Sequence, residues 1–229
     1  MQVEKERQVL VIFPHPDDEA FGVSGTIAAH TKNGTPVTYA CLTLGQMGRN
    51  LGNPPFATRE SLPEIRKKEL QKAAKALGIQ DLRMMGLRDK TIEFEEDEKM
   101  ANMVSDLINE LNPSLVISFY PGYSVHPDHE ATGRAVVRAV RKLPEDKRPK
   151  LHLVAFSNDC EMHLGNPDII HEVRDTWEQK LGAMKAHISQ TGWLLEEMEK
   201  KIAENDEEVM TRFMFERFWT YQWENDQVL

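Results

Sequence analysis

Cysteine is scarce: the 229 residues include two, Cys41 in an apolar stretch and Cys160 in a polar loop. Neither belongs to a Cys-x-x-Cys pair, which excludes a disulfide framework, and Cys41 reads as a small buried hydrophobe. Long apolar runs are missing as well, so no membrane span fits. Met1–Arg7 leads into a strand rather than a secretory hydrophobic segment, and a cytoplasmic protein is expected. Basic residues are in deficit, 28 against 37 acidic, for a formal charge of −9. That argues against a nucleic-acid backbone or an anionic membrane as the main partner, while local basic residues remain suited to a small anionic or sugar substrate. No internal repeat or low-complexity segment interrupts the chain. With 40% hydrophobic residues, 1–229 is expected to form a single globular domain.

What is present is a repeated tripeptide, His-Pro-Asp. The first copy lies in Phe13-Pro14-His15-Pro16-Asp17-Asp18-Glu19, directly after the apolar run Val9–Ile12. The second lies in His126-Pro127-Asp128-His129, shortly after the apolar run Leu115–Phe119. One copy alone reads equally well as a turn in which proline fixes φ and aspartate caps a helix. Two copies, each between an apolar run and a helical stretch, point to a metal site assembled at two strand ends. Neutral imidazole and carboxylate suit Zn²⁺, and three protein ligands with one open position mark a hydrolytic rather than a structural centre. His15, Asp18 and His129 are assigned as ligands. Asp17, His126 and Asp128 are left for proton chemistry, with Asp17 as the base and His126 made cationic by a hydrogen bond to Asp128.

Hydrophobic spacing predicts strands over Val9–Phe13, Pro36–Thr43, Asp81–Gly86, Leu115–Phe119 and Leu151–Phe156. Helices are predicted over Asp18–Lys32, Ile65–Leu77, Asp97–Leu111 and Asp128–Lys142 between them. This alternation gives an α/β fold, a three-layer Rossmann-like sheet, mostly parallel, with helices on both faces. Ile169–Val173 is expected as an edge strand, Thr176–Gln190 and Leu194–Ile202 as helices, and Glu204–Glu208 as a solvated acidic patch. The aromatic-rich Phe213–Trp223 either covers the core or forms a subunit contact in a homo-oligomer. The loops after the strands, Gly45–Thr58, Leu87–Lys90 and Tyr120–Val125, are expected to surround the metal and select the substrate. Arg59 is read as a substrate contact and Asp89 as a sugar-hydroxyl acceptor. His187 reads as structural.

The residues Pro14–Glu19 and His126–His129 resemble the paired signature of the LmbE-like (PIG-L) family of zinc-dependent N-acetylglucosamine deacetylases. The likeness extends to Arg66-x-x-Glu69, Ala73–Gly78, and the Trp177–Lys180 and His187–Gln190 segments. Within the family, Phe13–Gly22 and Thr43–Asn50 look most similar to the second-type deacetylases of bacillithiol biosynthesis. The resemblance implies zinc on His15, Asp18 and His129, Asp17 as general base and His126 in a polarising or acid role. It also implies N-acetylglucosaminyl-malate as the amino-sugar substrate. Amide hydrolysis of bacillithiol S-conjugates, or deacetylation of another N-acetylglucosamine compound, would use the same motifs. A non-catalytic metal-binding protein would have no use for the extra carboxylate of Asp17, and a phosphate-ester hydrolase would need a second metal's ligands or a phosphate loop.

Overall fold

The computed structural model describes residues 2–204, 206–226 and 228. Met1 and Asn205, which fall within the predicted N-terminal and acidic stretches, lie outside them. In chain order the elements are β1 (Val9–Phe13), α1 (Asp18–Gly22), α2 (Ser24–Lys32), β2 (Val37–Thr43), α3 (Leu62–Leu77) and β3 (Asp81–Leu87). They continue with α4 (Asp97–Leu111), β4 (Leu115–Phe119), α5 (Pro127–Arg141), β5 (Lys150–Val154), α6 (Cys160–Leu164) and β6 (Ile169–Glu172). The chain closes with α7 (Trp177–Ala186), α8 (Ile188–Ala203), α9 (Glu207–Met214) and β7 (Phe215–Phe218).

Five strands form one parallel sheet in the order β3-β2-β1-β4-β5. Alternation along β1 sends Leu10 and Ile12 into one apolar layer with Val104 and Leu107 of α4 and Val136 and Val140 of α5. Val9, Val11 and Phe13 enter the other, with Ile27 of α2, Leu70 and Leu77 of α3, and Met184 of α7. Both faces of the sheet are thus covered, as an all-parallel sheet requires. Strand order reverses between β1 and β4, and in such sheets the crevice beyond the strand ends at this point takes the ligand. Both His-Pro-Asp motifs follow these two strands. Among the described residues no helix is long and apolar enough to cross a membrane.

Four expectations change, one being that the helices expected over Thr176–Gln190 and Leu194–Ile202 instead divide at His187. Ile169–Glu172 is not an edge of the main sheet: it pairs antiparallel with β7 in a separate two-stranded sheet. A single antiparallel bridge, Leu153 to Trp219, joins this ribbon region to β5. Cys160 is buried at the start of α6 rather than placed in a loop. The helix predicted over Asp18–Lys32 breaks at Val23, whose φ of −142° is far from helical. The cause is remote in sequence. Glu216 of β7 accepts the N–H groups of Gly25 (2.9 Å) and Thr26 (2.7 Å), so its carboxylate caps α2 and meets the positive end of that helix. Gly25 itself is forced by packing, since a Cβ there would lie 2.5 Å from Val173. Phe213, Phe218, Trp219 and Tyr221 are buried, which answers the first of the two roles offered for the aromatic segment.

Glu216 also receives Lys180 Nζ at 2.7 Å, and both side chains are almost fully buried. Removing one member of such a pair strands the other charge. Glu216→Ala is therefore expected to cost about 3–5 kcal/mol, read as a lower urea midpoint at constant slope. Glu172→Ala, whose partner Arg174 is exposed, should leave the midpoint unchanged. Equal midpoints for the two variants would refute the assigned importance of the buried pair.

Candidate metal centre

The turn between β1 and α1 folds onto itself. Asp18 Oδ2 accepts the N–H of His15 at 2.8 Å, and the N–H of Asp18 points back to the carbonyl of His15. On the neighbouring strand's side, Pro127 opens α5 and places His129 in its first turn, where Phe119 stacks on the imidazole at 4.1 Å between centroids. The two segments meet. His15 Nδ1 lies 3.2 Å from His129 Nε2, and the Asp18 carboxylate lies 3.4 Å from the first and 3.3 Å from the second. Donors bound at about 2.0–2.1 Å around a tetrahedral ion stand about 3.3 Å apart, so this spacing fits zinc.

The other nitrogen of each imidazole is already engaged. His15 Nε2 faces Asp128 Oδ2 at 3.2 Å and Asp89 Oδ1 at 3.1 Å, and His129 Nδ1 faces the carbonyl of Ser124 at 3.1 Å. Those oxygens can only accept, so each ring has its proton there and turns a bare lone pair toward the other. Two lone pairs at 3.2 Å beside a carboxylate are compatible only with a proton or a metal cation between them. The charge balance agrees. Burial opposes ionisation of Asp18, yet His129 and His15 hold its carboxyl far below the usual range. Asp89 and Asp128 are also held low despite burial, chiefly by His15, and His15 is raised against its own burial by Asp18 and Asp128. Three buried carboxylates and two imidazoles therefore hold one another's charge at this point.

His126 is the third histidine here, with a ring nitrogen within 4.8 Å of nitrogens of His15 and His129. Its Nδ1 accepts the backbone N–H of Asp128 at 3.1 Å, which makes it the N-cap of α5. The neutral ring then has its proton on Nε2 and offers a donor, not a lone pair, which favours Asp18 over His126 as third ligand. Burial, followed by His15 and His129, lowers its pKa. The expected hydrogen bond from His126 to the Asp128 carboxylate is not made. Asp128 Oδ1 accepts from Ile92 N (3.1 Å) and Oδ2 from Lys90 N (2.7 Å) as well as His15, so this carboxylate fixes the loop after β3 and orients the His15 ring.

Asp17 adopts φ +107°, rare for a residue with a Cβ. Its conformation is held from both sides: its N–H donates to Glu19 Oε2 at 3.1 Å, and its carboxylate meets Arg66 at 3.1 Å. Burial, opposed by Arg66 and reinforced by Asp18, pushes its carboxyl up to about 6. Arg66 also donates to the carbonyls of Pro16 and Gly45. Gly45 has φ +60°, and a Cβ there would lie 1.8 Å from the guanidinium, so glycine is required. Glu19 has no solvent exposure and binds His187 Nε2 at 2.5 Å and the Tyr39 hydroxyl at 3.1 Å. His187 is structural, as expected.

A cavity of about 440 Å³ opens over these groups, bordered further by Met47, Gly48, Arg49, Lys90 and Gln190. Two substrate assignments shift. Asp89 lines the cavity, but its oxygens are occupied by His15 and by Met47 N–H at 2.7 Å, so it braces rather than offers a free acceptor. Arg59 is outside the lining and donates to the carbonyl of Gly48, whereas Arg49 borders the cavity. Sequence reasoning gave Arg66 and Glu19 no role. The signal available was a glutamate inside the first motif and an arginine on the apolar-faced helix α3.

The profile of the family described as "PIG-L: GlcNAc-PI de-N-acetylase" matches residues 10–140. A Bacillus cereus protein described as "Probable N-acetyl-alpha-D-glucosaminyl L-malate deacetylase 2" is 52% identical, covering 96% of this chain and 100% of its own. The Bacillus subtilis (strain 168) protein of the same description is 48% identical over 95% and 99%. Among solved structures, the N,N'-diacetylchitobiose deacetylase from Pyrococcus horikoshii, in complex with its inhibitor MPG, superposes with a TM-score of 0.71. It is 26% identical and covers 96% of this chain and 85% of its own.

Asp128→Ala is expected to weaken zinc binding about 10–100-fold in a chelator competition titration, because it frees His15 to rotate and shift tautomer. An unchanged zinc affinity would show that His15 is oriented without it.

Proposed function

The chain belongs to the PIG-L family, and from that membership we propose that it is a zinc-dependent deacetylase acting on N-acetyl-α-D-glucosaminyl L-malate, a step of bacillithiol biosynthesis. The observation carrying this reading is the carboxylate of Asp17, free of the donor triangle yet held beside it by Arg66. Together with near-full-length identity of about half to the two Bacillus proteins, it supports hydrolysis of that acetamide rather than metal storage.

In this reading His15, Asp18 and His129 hold the metal. Bound zinc supplies Lewis-acid chemistry, lowering the pKa of a water from about 15.7 toward about 7 and polarising the acetamide carbonyl. Asp17 takes a proton from the attacking water as its oxygen joins the acetyl carbon. Arg66 keeps the carboxylate aimed while this happens. His126 donates from Nε2 to the carbonyl oxygen as negative charge gathers there, acting as a neutral imidazole. Asp17, now protonated, returns its proton to the departing nitrogen, the C–N bond breaks, and acetic acid and the amine result, the acid's proton passing to the amine to give acetate and ammonium at neutral pH. Asp128 and Asp89 keep His15 in register and touch no reacting atom.

Asp17→Asn should keep about one zinc per chain while acetate release falls by ~10²-fold or more, since it removes a base and no ligand. Asp18→Ala should lose both. Zinc measured by atomic emission and acetate by coupled assay would decide; full turnover by Asp17→Asn, or its failure to hold zinc, refutes this division of labour.

A further inference from the structure

The cavity contains three cations, and their employment differs. Arg66 is spent on Asp17 and on two carbonyls. Among the described residues the side chains of Arg49 and Lys90 make no hydrogen bond or ion pair, and both are exposed at the border of the same cavity. They sit on different strand-end loops, Arg49 after β2 and Lys90 after β3. The surroundings make two unpaired cations costly to ignore. The cavity also contains Asp17, Asp18 and Asp89, and the chain as a whole is at −9, so a dianionic substrate would be repelled without local positive charge.

We propose that Arg49 and Lys90 are the specificity-determining anchor for a dicarboxylate aglycone, one cation for each carboxylate. This rests on the function proposed above and adds the residues that choose among N-acetylglucosaminides. The substrate's covalent geometry suits the placement. From the amide nitrogen, the path through C2, C1 and the glycosidic oxygen reaches one malate carboxyl carbon in five bonds and the other in six. Both carboxylates therefore stay within one cavity while the acetamide faces the donor triangle. Arg49 offers a planar fork suited to bidentate contact with one carboxylate, and Lys90 a point charge for the other. The backbone at Lys90 is fixed independently: its N–H is held by Asp128 and its φ is +63°, which aims the side chain from a constrained position. Arg59 supports Arg49 at one remove, through its bond to the Gly48 carbonyl.

The test compares Arg49→Gln, Lys90→Gln and Arg49→Lys with the wild-type zinc enzyme on two substrates, N-acetylglucosaminyl-malate and its neutral methyl α-glycoside. Each Gln variant should lose ~10-fold or more in kcat/KM on the malate compound, mainly through KM, and less than ~2-fold on the methyl glycoside. Arg49→Lys should recover part of the loss. Free L-malate should inhibit wild-type hydrolysis of the methyl glycoside competitively, and this inhibition should weaken in both Gln variants. Equal losses on the two substrates, or malate inhibition unchanged by the substitutions, would overturn the anchor. Wild-type enzyme that releases acetate from the methyl glycoside but not from the malate compound would instead overturn the substrate reading. In that case the malate-inhibition arm still judges the anchor.

Discussion

The contact between the Asp128 carboxylate and the Nε2 of His15 is the constraint on which the centre depends. It joins three separate strand ends: His15 follows β1, Asp128 lies in the first turn after the β4 loop, and the N–H groups of Lys90 and Ile92 bring in the segment after β3. A carboxylate with no solvent exposure is expensive unless all its lone pairs are used. Here three donors from two other parts of the chain satisfy both oxygens. The same bond selects the tautomer in which His15 turns Nδ1 toward His129 and Asp18, so loop position and imidazole orientation are settled by one interaction.

A second framework supports Asp17, whose backbone would not hold φ +107° unaided. Glu19 and Arg66 grip it from opposite sides, and each is itself buried among fixed partners: His187 and Tyr39 for Glu19, two carbonyls for Arg66. Strain at Asp17 is thus balanced by buried ionic and hydrogen-bonded groups drawn from α1, α3 and the start of α8.

The five parallel strands and the helices between them were legible because each carries a short, mostly apolar run or a 3.6-residue stripe, and because turns are marked by Asn33-Gly34, Gly78 and Asn112-Pro113. The meeting of the two motifs was legible because His-Pro-Asp occurs twice at strand ends. Partners chosen across long sequence distances were not. Asp128 looked like the natural companion of His126, two residues away, but the helix start turns the carboxylate toward His15 and leaves His126 only a backbone N–H. Arg59 was singled out on a loop without regular pattern, and only the folded loop directs it to the Gly48 carbonyl and brings Arg49 to the cavity. The break at Val23 follows from Glu216, which local propensity cannot register.

That last link has a bearing on how the chain is made. Gly25 and Thr26 emerge from the ribosome early, whereas the carboxylate that satisfies them lies 191 and 190 residues further along. At about 5–20 residues per second, the first helix pair waits on the order of ten to forty seconds for its cap. During that interval two N–H groups and the apolar surface meant for the β6–β7 ribbon remain open to water or to chaperones. The catalytic half of the sequence is translated first, but its second helix receives its cap only when the last strand arrives.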